Sequence, residues 1–234
     1  ADLAQQAEKI LGQYELVFAG AKPMEADLIA LVRHYDPVAI IVRYGKITAK
    51  IIAASQSLRV ISKHGSGIDT IDQSAAKARG IEVRAAAGAN AAAVAEHAIA
   101  LLLACSKSVV DLNERMHKGH WDKSTHKSLE LNGRTLGLIG LGAIGRRVAA
   151  IAHAMEMRII GFDPFASQLP YYIESVSLEQ IWKESDAISL HCPMSEENRN
   201  LINVQTINEC KPGVILINTA RGGLIDEQRS EEHT

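Results

Sequence analysis

The chain has 234 residues, enough for one large domain or two modest ones. Apolar residues make up 47% and charged residues 22%, which allows a buried core and argues against a disordered chain. A net charge of −2 gives no electrostatic ground for a nucleic-acid or anionic-membrane partner, and the apolar run Ala98–Cys105, at 8 residues, is far short of a membrane span.

No signal-peptide pattern is visible, and Cys105, Cys192 and Cys210 are isolated. Both features lead us to expect a reduced, cytoplasmic protein without a disulfide framework or zinc site. The chain starts at Ala1 in a helical pattern (Leu3, Ala7, Ile10, Leu11). Tyr14–Ala19 reads as a strand, and Pro23–Tyr35 as a helix with Leu28, Ile29 and Val32 on one face. Val38–Val42 is a continuous apolar run, as in a strand buried on both faces. Thr48 can cap a helix over Ala49–Ser55. Leu58–Ser62 reads as a strand, Asp69–Arg79 as a helix stopped by Gly80, and Ile81–Val83 as a short strand. Such alternation predicts βαβ units and a parallel sheet.

An Ala-rich helix follows over about Asn90–Lys107, with small residues suited to a spine between two domains. Residues 107–130 read as polar and irregular, with Trp121 as the large apolar group. Alternation then resumes, with strands at Thr135–Ile139, Arg158–Phe162, Ala187–Leu190 and Val214–Ile217. Helices are expected over Ala143–Met155, Leu178–Lys183 and Val204–Cys210. An amphipathic helix is expected after Leu224–Glu227, but the pattern stops there. Arg229–Thr234 reads as a translated sequencing adapter, with a natural polar tail as the alternative, and is left out of the fold expected here.

Gly140-Leu141-Gly142-Ala143-Ile144-Gly145 matches G-x-G-x-x-G between a strand and a helix, the context that fingerprint needs. Gly140 would make the tight turn, Gly142 would let backbone approach a pyrophosphate, and Gly145 would let helix and strand pack closely. Asp163 ends the next strand, where a carboxylate can accept both hydroxyls of an adenosine ribose and repel an added phosphate. NAD is therefore expected over NADP. Arg146 and Arg147 read as a charged helix face. His117, His120 and His126 read as solvated imidazoles rather than a metal site, and Glu96-His97 as a hydrogen-bonded pair. Met155 and Met157 read as core filler.

Four segments occur in order: Lys63-His64-Gly65-Ser66-Gly67-Ile68-Asp69, Leu131–Gly137, His191-Cys192-Pro193 and Asn218-Thr219-Ala220-Arg221-Gly222-Gly223. Together with the glycine fingerprint they resemble the D-isomer-specific 2-hydroxyacid dehydrogenases, in particular their 3-phosphoglycerate dehydrogenase-like branch. The resemblance runs from about Tyr14 to Glu227. It implies an α/β protein of two parallel-sheet domains: a flavodoxin-like substrate domain over 1–90, lacking its first strand, and an incomplete Rossmann NAD-binding domain over 91–228.

The resemblance makes Arg221 the catalytic arginine, a guanidinium able to hold a substrate carboxylate and polarise a ketone oxygen. It puts Arg43, Lys63, Gly65, Ser66 and Gly67 on the substrate, the two cations facing a substrate phosphate. Lys123 would add a cation from a partner subunit. Ser66, Ala143, Ile144, Asp163, Cys192 and Thr219 would line the cofactor, together with the three glycines. Cys192 is a lining residue in this reading, not a nucleophile.

The implied chemistry is NAD-dependent hydride transfer at C2 of a small D-2-hydroxy acid, with a His–Glu proton shuttle that the family carries beyond the arginine. The chain as written is therefore expected to be inactive, and the full protein to be a homodimer. Two alternatives stay open: a glyoxylate or hydroxypyruvate reductase, and an NAD-sensing corepressor-like binding protein.

Overall fold

The computed structural model describes residues 5–226. The chain divides into two compact units, residues 1–90 and 91–234.

The first unit opens with helix α1 (Gln5–Ile10) and helix α2 (Glu25–Tyr35). Met24 N–H donates to Asp27 Oδ2 at 3.1 Å, closing the start of α2. Strand β1 (Ala39–Val42), helix α3 (Ala49–Ala53), strand β2 (Val60–Lys63), helix α4 (Gln73–Ala78) and strand β3 (Glu82–Ala85) follow. The three strands are parallel, in the order β1-β2-β3. Ile51, Ile52, Ile61, Ile71 and Ala76 form the centre of the core.

Several expectations need correction here. Tyr14–Ala19 is not a strand. Its apolar run Leu16–Ala19 suits one, but it pairs with no strand of the sheet, and Tyr14, Val17 and Phe18 are exposed. β1 is not buried on both faces, because it lies at the sheet edge and Ile41 is 45% exposed. Thr48 occupies the N-cap position of α3 without a capping bond; its hydroxyl donates to Glu25 Oε1 instead. The helix expected from Asp69 starts at Gln73, because Asp72 takes the cap and accepts Ala75 N–H at 2.9 Å. Gly80 ends that region at φ +65°, in the left-handed conformation.

The second unit starts with helix α5 (Ala91–Ser106) and helix α6 (Val109–His117). The irregular reading of 107–130 therefore missed a helix. Its signal is Leu112 and Met116 at helical spacing, with Asp111 in the first turn and Arg115 and His117 in the last. Strand β4 (Thr135–Ile139), helix α7 (Ala143–Ala154), strand β5 (Arg158–Phe162), strand β6 (Ile173–Ser175), helix α8 (Leu178–Glu184), strand β7 (Ala187–Leu190), helix α9 (Val204–Glu209) and strand β8 (Ile215–Asn218) follow. A 3-10 turn covers Gly222–Leu224. Among the described residues no single helix is long and apolar enough to cross a membrane.

All five strands are parallel, in the order β6-β5-β4-β7-β8. Counted within the unit this is 3-2-1-4-5, the doubly wound arrangement. Both faces are covered, which explains the continuous apolar runs. Leu136, Leu138 and Ile159 pack on one side with Ala95, Ala98 and Leu102 of α5 and Val148, Ala149 and Ala152 of α7. Ile139, Ile160, Ile188 and Leu190 pack on the other with Ile181 and Trp182 of α8. Met157 is buried in the first of these clusters, and Met155 packs against it. Asp186 staples the lower end of the sheet, accepting Thr135 N–H at 2.8 Å and the Lys211 ammonium at 3.2 Å. Burial opposes its charge, but these donors hold its carboxyl below the usual value.

Candidate functional site

Strand order reverses between β4 and β7, the switch point where a doubly wound sheet opens a crevice at its carboxyl edge. The chain leaves each central strand there through a residue named from the sequence. Gly140 follows β4, Asp163 follows β5, His191 and Cys192 follow β7, and Thr219 follows β8. Because the strands are parallel, all of these positions lie on one edge of the sheet.

The three glycines of the turn have three distinct requirements. Gly140 sits at φ +96°, and a Cβ there would lie 2.6 Å from Cys192 N and 2.7 Å from His191 O. A Cβ on Gly145 would collide with the Gly140 carbonyl oxygen. Gly142 is unlike both. Its φ is −76°, which any residue adopts, and a Cβ there would meet nothing within 4 Å. The protein's own packing therefore does not demand a glycine at this position. The space over it is open to a group from outside the chain at the start of α7.

Gly142 is the N-cap of α7 and provides no side-chain cap, so Ala143 and Ile144 sit in a first turn whose N–H groups point out of the helix. These donors and the open volume suit a pyrophosphate. Two buried polar atoms without protein partners belong to the same edge: His191 Nδ1 and Thr219 Oγ1. Buried polar groups are normally satisfied, so each has an unused bond for a ligand. His191 Nε2 is 2.9 Å from Ser189 Oγ, and burial pushes the imidazole down to about 4, so it is neutral near pH 7. Burial also pushes the neighbouring Cys192 thiol up, which keeps it protonated.

Asp163 Oδ2 accepts Leu141 N–H at 2.8 Å and Oδ1 accepts Phe165 N–H at 2.8 Å. The carboxylate is thus oriented by backbone on both oxygens. Arg146 is not an idle face residue, contrary to expectation. Its guanidinium donates to the carbonyls of Leu141, Ser167 and Gln168.

Arg221 follows β8 by three residues, half-buried, with Nη1 donating to Ala220 O at 2.8 Å. Asn218 shapes its loop. Asn218 Oδ1 accepts Ala220 N–H at 3.0 Å and Arg221 N–H at 3.3 Å, and Nδ2 donates to Arg221 O at 2.8 Å. Sequence reasoning gave Asn218 no role. An Asn two residues before a turn amide is nonetheless a recognisable Asx-turn signal.

Arg43, Lys63, Gly65, Ser66 and Gly67 belong to the first unit. Val42 and Lys63 are opposed across β1 and β2, which brings the Lys63 ammonium to the Arg43 carbonyl at 2.5 Å. The Arg43 guanidinium lies over the Tyr44 ring, 5.1 Å from its centroid. Gly65 turns the chain out of β2 at φ +130°, a conformation open to glycine, and its carbonyl accepts Ala86 N–H. Ser66 is exposed beside it.

Residues 99–229 match the model of the D-isomer specific 2-hydroxyacid dehydrogenase, NAD binding domain. The chain is 41% identical over 227 residues to a hydroxypyruvate reductase of Thermotoga maritima, covering 97% of this chain and 74% of that protein. It is 39% identical over 208 residues to a D-3-phosphoglycerate dehydrogenase of Synechocystis, covering 87% of this chain and 37% of that one. The chain therefore spans well under half the length of that longer relative. Among solved structures, an acyclic imino acid reductase (Bsp5) in complex with NADPH and D-Arg superposes with a TM-score of 0.88 at 31% identity, over 97% of this chain and 74% of that one. The chain thus belongs to the D-isomer-specific 2-hydroxyacid dehydrogenases and carries their NAD-binding domain.

Proposed function

We propose that this chain serves NAD-linked hydride transfer at C2 of a small 2-hydroxy or 2-keto acid. The open position over Gly142, at a helix start without a side-chain cap, carries the reading. In it the backbone of Gly142, Ala143 and Ile144 holds the pyrophosphate, Asp163 the adenosine ribose, and His191, Cys192 and Thr219 line the cofactor's path. The bound nicotinamide supplies or takes the hydride. Arg221 grips the substrate carboxylate and draws electron density from the ketone oxygen, its loop held rigid by Asn218. The Gly65–Gly67 backbone enters the proposal as a source of N–H donors for the substrate.

Arg43 and Lys63 carry the finer question of substrate. The Lys63 ammonium reaches the backbone carbonyl of Arg43 from the neighbouring strand, and two cations so close in the fold would suit a phosphate on the substrate, the chemistry named in the phosphoglycerate dehydrogenase relatives. Lys63 has a carbonyl to turn to when no phosphate is present. The hydroxypyruvate reductase relative supports an unphosphorylated acid instead. A homodimer through the second unit is part of the proposal, supported by exposed Val109, Val110, Met116 and Trp121 within 107–130. So is a reducing, cytoplasmic setting, supported by three cysteines of which one is exposed and none is paired.

Calorimetric titration with NAD, followed by oxalate as an unreactive mimic of a 2-keto acid, tests the reading. NAD should bind, and oxalate should bind the NAD-loaded chain with an affinity that Arg221→Ala removes. Failure of NAD to bind overturns the proposal.

A further inference from the structure

We infer that Arg146 is a positioning residue for the ribose end of the cofactor site, fixing Asp163 and favouring a cofactor without a 2′-phosphate. The inference rests on the NAD reading above.

Arg146 stands in the first turn of α7, the end of a helix that disfavours a cation. Among the described residues no carboxylate forms an ion pair with it. It donates to three backbone carbonyls: Nε to Leu141 O at 2.8 Å, Nη2 to Ser167 O at 2.9 Å and Nη1 to Gln168 O at 3.1 Å. A planar guanidinium can make these bonds at once, and a lysine ammonium cannot match the fork.

The bonds join two loops. Leu141 is the second residue of the glycine turn, and Ser167 and Gln168 lie within the 163–172 loop that Asp163 begins. Leu141 is gripped through both peptide groups, since Asp163 accepts its N–H at 2.8 Å while Arg146 donates to its C=O. Asp163 also accepts Phe165 N–H. Gln168 holds φ +53°, an uncommon conformation for a residue with a side chain, and its carbonyl is one of the three acceptors. Two clasps thus tie the turn to the 163–168 loop from opposite ends.

Each Asp163 oxygen uses one lone pair on a backbone N–H and keeps one, of roughly four in the carboxylate. Two acceptors, side by side and fixed in direction, match the vicinal hydroxyls of a ribose. The cation next to them is committed to carbonyls, so it offers a 2′-phosphate nothing to offset repulsion by Asp163.

The test is binding of ADP-ribose and 2′-phospho-ADP-ribose to the 234-residue chain and to Arg146→Met and Arg146→Lys, with thermal unfolding in parallel. ADP-ribose should bind Arg146→Met about tenfold more weakly, while the phosphorylated ligand changes less, so the preference between them shrinks. Arg146→Lys should fall between, and it carries the test alone if the methionine variant does not fold. A purely structural role would lower the melting temperature and weaken both ligands by one factor, and that result overturns the inference. So does a folded variant with unchanged affinities. Absence of ADP-ribose binding by the unaltered chain overturns the NAD reading, and this inference with it.

Discussion

Gly145 lies against the Gly140 carbonyl so closely that no β-carbon fits between them. Backbone cannot yield as a side-chain tip can, so Gly145→Ala should destabilise the second unit by about 3 kcal/mol. Gly142→Ala is the contrast. Its Cβ enters open space, and losing glycine at an N-cap should cost about 1 kcal/mol or less. Chemical denaturation should separate the two variants. Nucleotide titration should show Gly142→Ala folded and unable to bind NAD; normal binding would remove the argument that a ligand claims that space.

Ser185 is fully buried, and its hydroxyl has no partner. A Cβ on Gly137 would strike that hydroxyl and sit 3.0 Å from Ile181 Cγ2. Ser185→Ala removes an unsatisfied group at nearly constant shape and should stabilise by about 1 kcal/mol. Gly137→Ala should destabilise, and less so in the Ser185→Ala background, with a coupling of about 1 kcal/mol in the double-mutant cycle. Independent effects would show that the close approach does not limit packing.

His191 titrates near 4 when folded against an ordinary 6.5, because burial disfavours the imidazolium. The unfolded chain therefore takes up a proton between those values while the folded chain does not. Stability should fall as pH drops from 6.5 toward 4, by up to about 3 kcal/mol, and this contribution should level off below. His191→Gln should flatten that window. Asp36, held low by the Ser55 and Ser57 hydroxyls and the Ser57 and Gln56 amides, acts separately. Its lowered value adds stability above the ordinary carboxylate range, which is lost as pH falls below it. Unfolding curves at half-unit pH steps would resolve the two.

Asn218→Ala strips three hydrogen bonds from the loop that carries Arg221. The expected cost is about 2 kcal/mol. Amide exchange should accelerate at Ala220 and Arg221 ahead of the strand they follow. Asn218→Asp keeps the acceptor and loses the donor, so it should protect both amides better than alanine does. Equal protection in all three chains would mean that the loop is held by something else.

The sequence revealed most where one physical signal ruled. Thr135–Ile139, Arg158–Phe162 and Ala187–Leu190 have the bounds expected of them, because strands covered on both faces are nearly continuous apolar runs. The glycine turn was legible for a similar reason: its spacing is tied to backbone geometry. Tyr14–Ala19 misled because a short apolar run becomes a strand only where a sheet edge pairs with it. The three-residue β6 gave no run long enough to notice. Side-chain roles were harder still. Arg146 looked like any charged helix residue, since its acceptors are carbonyls from a loop far along the chain. The orphaned His191 Nδ1 and Thr219 Oγ1 appear only when burial is known.

The missing β-carbon of Gly140 leaves a space filled by the His191–Cys192 peptide. These two stretches, distant in sequence, therefore interlock like adjacent teeth. A relative that acquires a side chain at the first must reroute its backbone at the second. Insertions in either loop should be tolerated only beyond the point of contact, so drift at the two places should be paired, or absent from both.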